Sequence, residues 1–327
     1  MDDVLPDGTT RRITMSKDVP ACQLRPLPLG QLSFEHDGVE QLRWNHHPSA
    51  PRPYFYPLIG PSGSSLVRMG HPGAANHDHH CGVWFAHHDV AGVDFWSNTS
   101  PATIRQTRWL DYVDGPQQAV MAVESEWLDG HDPKPLLHQT TVACFQPRAD
   151  GEFTLELQAS FTATSGQLEL GTTNFGFLAI RVAKSISEHF GGGTITNSLG
   201  KTGEAVIFGK DSRWMDYSGP NRDCAGEPGA VVTEGITCFD HPSNPGQPTR
   251  WHVREDGWMG PSVCRQQPVL LQADKPLVVR YLLDIHSGSY DADRAQLVAD
   301  EFSGSVGWGI RQAEVKHRQN EVYRLPG

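Results

Sequence analysis

Residues 137–162 read LHQTTVACFQPRADGEFTLELQASFT and give the plainest indication of the fold. The runs 137–146 and 152–162 are short alternating segments, and the residues PRADG separate them. Threonine and phenylalanine, which are frequent in strands, recur in both runs, whereas proline and glycine occur only between them. This pattern predicts two β-strands.

Segments of the same kind continue along the chain. We predict further strands at 31–36, 40–44, 54–59, 83–89, 104–113, 119–127, 177–183, 205–208, 231–239, 251–254, 268–272 and 277–285. Their spacing, together with 33 glycines and 24 prolines, favours a mainly antiparallel all-β protein built as a large sandwich or barrel. Strands do not alternate with helices at βαβ spacing, so a doubly wound fold is not expected.

One helix is predicted near 291–303, where the chain reads DADRAQLVADEFS. Acidic residues come early in this segment, and Ala295, Val298, Ala299 and Phe302 recur at helical spacing. The segment follows the last long strand, and we expect the helix to pack over a sheet edge.

The composition narrows the domain organisation and the function classes. No break in composition marks a boundary, so we predict one β-sandwich domain over 1–327, with 1–20 as a loosely packed arm or an edge strand. The 27 Lys and Arg residues stand against 38 Asp and Glu residues, which gives a net charge of −11. Because no basic patch is present, neither nucleic acid nor a membrane surface is an expected partner.

The chain shows no sign of a membrane span or a leader. No run of about eighteen apolar residues is present, so no transmembrane helix is predicted. The first residues, MDDVLPDGTTRRITMSK, lack the apolar stretch of a signal peptide, and we expect a cytoplasmic protein. The six cysteines form no CxxC pair and are expected to be free thiols.

Histidine is concentrated in one part of the chain. Residues 76–96 read NHDHHCGVWFAHHDVAGVDFW and hold five histidines and three aspartates, and eight of the sixteen histidines lie between His46 and His88. Imidazole exchanges protons near neutral pH and is also a common metal ligand. This density predicts an active-site segment.

The spacing within this segment leaves two chemistries open. In an extended chain His77 and His79 share one face, with Asp78 and His80 opposite, and Gly82 permits a turn or a close backbone approach. A His-x-His pair suits a metal ion, whereas a histidine beside a carboxylate suits acid–base catalysis. In a strand over 83–90 we expect one of His87 and His88 to be exposed.

Three further segments offer polar groups for a site. His252 and Arg254 share one face of the strand 251–254, which follows the Pro-rich loop DHPSNP at 240–245. Arg181 lies on the face of its strand opposite the apolar residues 178, 180 and 182. Trp214, Asp216 and Tyr217 form the combination of aromatic and carboxylate groups that lines sugar sites.

Several blocks resemble a bacterial family labelled "methane oxygenase PmoA". They are YPL at 56–58, PSG at 61–63, HDHHCGVWFAH at 77–87, GVDFW at 92–96, and the later blocks at 177–183, 216–219, 240–242 and 251–254. The resemblance spans about residues 53 to 285. It implies a soluble β-rich protein associated with carbohydrate catabolism, and not a methane monooxygenase subunit, which is an integral membrane protein.

This chain departs from the family pattern at two places. Cys81 stands where the family usually has arginine, so a residue expected to bind an anion or pair with a carboxylate is missing. The residues EDGW at 255–258 also differ from the usual Tyr-Gly pattern.

We weigh three functions, of which the first is favoured. The first is a carbohydrate-active enzyme on a galactose-mutarotase-like supersandwich that epimerises, eliminates or hydrolyses a sugar and needs no cofactor. Its catalytic residues would be His80, His88, Asp78 and Asp94, and its substrate-binding residues would be Arg181, Asp216, Tyr217, His241, His252 and Arg254. The second is a metal-dependent enzyme in which His77 and His79 hold Zn²⁺, Mn²⁺ or Fe²⁺. The third is a non-catalytic carbohydrate-binding protein. The expected partner is a small-molecule carbohydrate, and a homo-oligomer is left open.

Overall fold

A computed structural model describes residues 19–71, 73–74, 77–222, 224 and 229–327, together with the backbone of 3–4 and 10–11. The strands are β1 (Asp3–Val4), β2 (Thr10–Arg11), β3 (Cys22–Leu27), β4 (Gln31–His36), β5 (Val39–Asn45), β6 (Tyr54–Leu58), β7 (Val83–His87), β8 (Thr103–Val113), β9 (Ala119–Leu128), β10 (Leu137–Pro147), β11 (Phe153–Ala163), β12 (Gln167–Leu170), β13 (Gly176–Arg181), β14 (Thr194–Asn197), β15 (Trp214–Asn221), β16 (Val232–Asp240), β17 (Trp251–Arg254), β18 (Trp258–Pro261), β19 (Val269–Gln272), β20 (Leu277–Ser287), β21 (Trp308–Gln312) and β22 (Asn320–Arg324). The helices are α1 (Glu188–Gly191), α2 (Glu204–Ile207) and α3 (Ala292–Gly304).

Two eight-stranded sheets form the body of the molecule. The first has the order β14-β15-β16-β20-β11-β10-β9-β8, and the second has the order β17-β18-β13-β7-β6-β5-β4-β3. The strand pairs of both sheets are antiparallel, as in the register that joins Leu137 to Ala163 and Pro147 to Phe153. The predicted large antiparallel β-sandwich is therefore confirmed.

The core lies between the two sheets. Phe85 of β7 faces Phe161 of β11 and Tyr281 of β20, with both ring-centroid distances at 6.4 Å. Because side chains alternate along a strand, the neighbouring Trp84 points to the opposite face of the second sheet. That outer face carries the cleft described below.

The outer face of the first sheet is covered by two C-terminal elements. Helix α3 packs Ala295, Val298, Ala299 and Phe302 against Trp214, Phe239 and Leu282. Asp291 caps this helix, since its side chain accepts hydrogen bonds from the backbone of Asp293 and Arg294. The helix therefore packs on the face of the sheet, where its apolar stripe is buried, and the expectation that it covers an edge was wrong.

The hairpin β21–β22 covers a second part of this outer face. Trp308 packs on Val120, Ala122, Val142 and Cys144. Arg324 of the hairpin pairs with Glu156 of β11 at 2.5 Å, and Arg280 of β20 also donates to this glutamate at 2.9 Å. Strands β11 and β20 are therefore buried on both faces.

Most predicted strands are present with their ends shifted by one or two residues. The strands at 31–36 and 251–254 match β4 and β17. The strand predicted at 205–208 is wrong, because Glu204–Ile207 forms α2. Short apolar runs do not distinguish strand from helix by periodicity, and here Glu204 supports a helical first turn after Gly203.

The arm or edge strand predicted at 1–20 lies largely outside the described residues, where only the backbones of β1 and β2 pair with each other. No helix of the described part of the chain is long and apolar enough to cross a membrane. The single domain over 1–327 stays a prediction.

Candidate active-site cleft

A cleft of about 310 Å³ lies on the outer face of the second sheet. Its lining residues come from strands β13, β17 and β18 and from loops that precede or follow strands of this sheet: His77, His79, His80, Trp96, Phe175, Arg181, His252, Arg254, Asp256 and Trp258. The cleft thus brings together six of the residues that the sequence proposed for a site, namely His77, His79, His80, Arg181, His252 and Arg254.

Strand alternation explains how the hairpin β17–β18 contributes to the cleft. His252 and Arg254 point toward it, while Trp251 and Val253 are buried in the intersheet core, as the sequence predicted. Arg181 pairs in register with Trp258, so both side chains lie on the cleft side of the second sheet. The prediction that Arg181 faces away from the intersheet core is confirmed.

The histidine segment enters the cleft through a constrained turn. Gly82 has φ +62°, and a Cβ at this position would clash with the backbone carbonyl oxygen of Phe55. The backbone N–H of Gly70 donates to the carbonyl of His80 at 2.7 Å. The sequence anticipated this close approach at Gly82. It fixes the direction in which the chain runs from His80 into β7.

Asp256 holds the floor of the cleft together. Its Oδ1 accepts from Nη1 of Arg181 at 2.7 Å, its Oδ2 lies 2.9 Å from Nε2 of His71, and its backbone carbonyl accepts from Nη2 of Arg68 at 2.7 Å. Burial alone would raise the pKa of Asp256, but the hydrogen bond and charge of Arg181 and the contact with His71 outweigh it and lower the pKa to about 2. Asp256 is therefore ionised at neutral pH.

Asp256 was not proposed from the sequence as a site residue. It lies in the turn between β17 and β18, where Gly257 has φ +100°. The Asp-Gly pair between two short strands is a hairpin signal that could have placed it beside Arg254. Its pairing with Arg181, 75 residues away, has no local signal.

Tyr217 supports this hairpin from behind. Its hydroxyl donates to the carbonyls of Arg254 at 3.1 Å and Glu255 at 2.8 Å, and it accepts from the backbone N–H of Glu188 at 3.2 Å. The sequence proposed Tyr217 as a substrate-binding residue. The structure instead has it fix the backbone next to Asp256.

Two cleft histidines are buried and uncharged. His80 is 7% exposed, and burial together with the nearby charges of His79 and Arg181 lowers its pKa to about 2. His252 is 4% exposed, and burial together with Arg254 and Arg265 lowers its pKa to about 3. Both imidazoles are therefore neutral at pH 7.

Several polar atoms of the cleft residues lack a protein partner within the described part of the chain. These atoms are Nε and Nη2 of Arg181, Nδ1 of His80 and Nε1 of Trp258. The ring nitrogens of His252 make no hydrogen bond of good geometry with a described residue, although the Asn174 backbone lies near enough to favour the charged ring. Buried polar groups are normally hydrogen-bonded, so a cluster of such atoms around one hollow is typical of a ligand site.

Two indole rings, those of Trp96 and Trp258, line one wall of the cleft, and the buried Trp84 packs behind them. Trp84, Trp96 and Trp258 have ring centroids 5.5 to 5.7 Å apart, and His80 stacks on Trp258 at 5.0 Å. On another side, Phe175 meets His252 edge-to-face at 5.1 Å. Aromatic faces next to polar groups are suited to the mixed surface of a sugar ring.

Three residues proposed as catalytic do not line the cleft. Asp78 and His88 are exposed, and the ring of His88 lies 5.9 Å from that of Phe175. The expectation that one of His87 and His88 is exposed is confirmed. Asp94 accepts from the backbone of Trp96 at 2.6 Å and of Ser97 at 3.1 Å, so it shapes the turn that presents Trp96.

Two proposed substrate-binding residues belong to the outer face of the first sheet. Asp216 is buried and accepts from Thr237 at 2.8 Å, and its Oδ2 lies 2.8 Å from Nε2 of His286. His241 lies under α3, where Nη1 of Arg280 is 2.9 Å from its Nε2 and Phe302 is 4.8 Å away. Strand alternation gave no information about which sheet these residues would join.

Cys81 lies beside the cleft without lining it. It is buried, its thiol donates to the carbonyl of His79 at 3.5 Å, and burial raises its pKa to about 11. A guanidinium is nevertheless close, because Arg52 donates to the carbonyls of His79 at 3.1 Å and Trp96 at 2.6 Å. Arg52 thus ties together two segments of the cleft wall, a role that the sequence did not reveal.

A metal site was the alternative use of the histidines. The rings of His77 and His79 stack with centroids 5.9 Å apart, and both line the cleft. Over residues 19–71, 73–74, 77–222, 224 and 229–327, no three His, Cys, Asp or Glu side chains are grouped so as to hold a metal ion. The assignment of His77 and His79 as metal ligands stays a prediction.

The fold and the cleft define an antiparallel β-sandwich protein with a histidine- and arginine-lined pocket on one sheet. The chain belongs to a family of unknown function, DUF6807, whose model matches residues 31–300. No curated protein matches it. The resemblance to the PmoA-labelled family stays a prediction.

One solved structure is similar over most of this chain. It is described as "Putative kojibiose phosphorylase from human microbiome", and the match has a TM-score of 0.33 and 10% identity. It covers 87% of this chain and 36% of that one, so the chain spans about a third of that protein's length. A likeness this distant carries no argument about activity.

Proposed function

We propose that the chain is a carbohydrate-active enzyme in which His80 and His252 transfer protons to and from a sugar derivative. The observation that carries this proposal is the pair of buried, uncharged imidazoles that line one aromatic cleft, where Nδ1 of His80 has no partner among the described residues. The sequence proposed His80 for this role. His252 replaces His88, which does not line the cleft.

The chemistry follows from the state of each group. A neutral imidazole has one acceptor nitrogen and one N–H donor. Because pKa values of about 2 and 3 make weak bases, proton uptake by His80 and His252 requires that the bound substrate raise these pKa values toward neutral pH, as a nearby anion or a hydrogen bond to the charged form does. Trp96, Trp258 and Phe175 supply apolar faces for the sugar ring. Asp256 remains ionised and orients Arg181.

The volume of the cleft limits the size of the ligand. At about 310 Å³ it is at the lower end of the range of about 300–1,000 Å³ for small-molecule sites. This size supports a single sugar unit with its substituent, acted on by epimerisation or elimination. A protein that only binds sugar would use the same aromatic surfaces, so the test must separate binding from turnover.

The decisive variant is His252→Phe. The ring of His252 contacts Phe175, Phe208 and Trp258, so phenylalanine keeps the packing and removes both nitrogens. We expect the melting temperature to hold or rise, because a buried polar ring without a partner is replaced by an apolar one. Turnover, followed by NMR on a panel of sugars and sugar acids, should fall by about 100-fold or more.

The matched control is His88→Ala, which changes an exposed histidine outside the cleft and should leave turnover unchanged. Equal turnover in His252→Phe and the wild type would contradict the proposal. Tight binding of a sugar with no turnover under any condition, including added Zn²⁺, Mn²⁺ or Fe²⁺, would identify a binding protein instead.

A further inference from the structure

The floor of the cleft has more positive than negative charge. Arg68 and Arg181 are adjacent, since the backbone N–H of Arg68 donates to the carbonyl of Arg181 at 3.0 Å. Among the described residues, Asp256 is the carboxylate that bonds Arg181, and it meets Arg68 through its backbone carbonyl. Arg254, which also lines the cleft, pairs with Glu204 at 2.6 Å. Arg68 lies behind the cleft lining and adds positive charge next to Arg181, with no described carboxylate bonded to it.

Both arginines keep donors that no described residue accepts. These donors are Nε and Nη2 of Arg181 and Nε and Nη1 of Arg68. Arg181 is only 1% exposed, and burial together with the nearby positive charge of Arg181 lowers the pKa of Arg68 to about 10. Buried polar groups are normally hydrogen-bonded, so unmet donors on two neighbouring arginines beside one hollow are typical of a ligand site.

The rest of the molecule does not share this charge. The net charge is −11, and the local excess of positive charge at Arg68 and Arg181 contrasts with it. Guanidinium groups recognise carboxylate and phosphate through paired N–H donors. The donor pair Nε and Nη2 of Arg181 is the edge that makes such a bidentate contact.

We propose that the cleft takes an anionic sugar, with the carboxylate or phosphate group bound by Arg181 and its charge balanced by Arg68 behind it. This inference deepens the proposed function and rests on it, because it names the substrate class of the same cleft. Arg181 is the contacting residue, and Arg68 is a positioning and electrostatic residue. With the anion at this end, the sugar ring lies against the apolar faces of Trp96, Trp258 and Phe175, which line the same cleft.

Matched ligand pairs test the proposal in the full-length protein. We compare glucuronate with glucose and galacturonate with galactose by calorimetry, and we add glucose 6-phosphate and inorganic phosphate as separate probes. The charged member of each pair should bind about tenfold tighter or more, as expected for a charge-assisted bond. Preference for glucuronate over glucose 6-phosphate identifies a sugar acid, and the reverse identifies a sugar phosphate.

Variants of Arg68 separate charge from structure. Arg68→Gln should remove the preference for the charged ligand while leaving the affinity for the neutral sugar within about twofold, and Arg68→Lys should restore most of the preference. Without ligand, Arg68→Gln should change the melting temperature little, because the lost hydrogen bond to the Asp256 carbonyl is offset by relief of the repulsion between Arg68 and Arg181. Arg213→Gln, an exposed arginine bound to Gln296, is the control and should change nothing.

The possible failures are distinguishable. Neutral sugars bound as tightly as sugar acids, with Arg68→Gln affecting both equally, would overturn the anionic ligand and leave the proposed carbohydrate function standing. If neither charged nor neutral sugars bind, and His252→Phe behaves as the wild type does, the proposed function itself fails.

Discussion

The histidines of this chain differ from one another in protonation state, although many of them lie close together in the sequence. His80, His87, His241 and His252 are all buried with lowered pKa values, whereas the pKa of His286 is raised. Burial favours the neutral form of His286 too, but its hydrogen bond to Asp216 outweighs this effect. Residue type and spacing in the sequence identified the candidate histidines. Their protonation states depend on neighbours in three dimensions, which the sequence does not reveal.

These lowered pKa values predict that the protein loses stability in mild acid. An unfolded histidine titrates near pH 6.5, while the folded pKa values are about 2 for His80, about 3 for His252 and about 4 for His87 and His241. Below pH 6.5 the unfolded chain binds more protons. The free energy of unfolding should therefore fall as pH drops from 7 to 5, by up to about 1.4 kcal/mol per pH unit for each group.

Urea denaturation at pH 7, 6 and 5 measures this loss. His252→Phe should reduce the slope, because one of the four groups is removed, and the exposed His88→Ala should leave it unchanged. A free energy of unfolding that is constant or increases from pH 7 to pH 5 would show that these imidazoles are not held neutral.

At the scale of elements, all strands of nine residues or more were predictable, whereas shorter strands were predicted only in part. Alternating runs such as 137–146 and 152–162 carry enough apolar residues to define β10 and β11. Strands β3, β12, β14, β15, β18, β21 and β22 were missed. Pro26 in β3 and the Gly-Pro pair in β15 are residue types typical of turns. Both strands nevertheless pair with an adjacent strand, β4 and β16 respectively, and the periodicity of the sequence does not identify these partners.

The turn at Gly82 is the element on which the histidine segment depends. Gly82→Ala combines an unfavourable φ of +62° with a clash against the Phe55 carbonyl, and we expect a loss of about 3 kcal/mol or more in the free energy of unfolding. Gly38→Ala has a similar φ of +79° with no atom within 4 Å, and should lose only about 1 kcal/mol.

Urea denaturation of both glycine variants tests this difference. The contrast isolates the backbone contact from the conformational preference, because both glycines have positive φ. Equal losses at the two positions would mean that the β6–β7 region adapts to a side chain at position 82, and that the position of His80 is not fixed by this contact.

For the whole molecule, half of the residues that the sequence proposed for a site line the cleft in the structure. His80, Arg181, His252 and Arg254 meet in one cleft because β13, β17 and β18 are neighbours in the second sheet. Asp216 and His241 belong to the first sheet and face away from it. Chain order does not determine sheet order in a sandwich, so alternation predicts which face a residue takes but not which residues it meets.

The positive charge of the cleft and the negative net charge of the whole chain predict that added salt speeds the binding of an anionic sugar. The net charge of −11 repels an anionic sugar at long range, and this repulsion is screened over about 30 Å at 0.01 M salt and about 8 Å at 0.15 M. The association rate of glucuronate, followed by the fluorescence of Trp96 and Trp258, should therefore rise severalfold between these salt concentrations.

Glucose should show no such dependence, because it carries no charge. A rate for glucuronate that falls with added salt would indicate that attraction at the cleft mouth extends into solvent and dominates the approach.

The hairpin β17–β18 forms the edge of its sheet, and it supplies four of the cleft residues from one stretch of seven amino acids, 252–258. The remaining wall comes largely from loops outside the intersheet core. Substitutions in this edge hairpin and the adjoining loops can therefore change which ligand is bound, without disturbing the central strands of the two sheets. Relatives with the same architecture are free to differ in what they recognise.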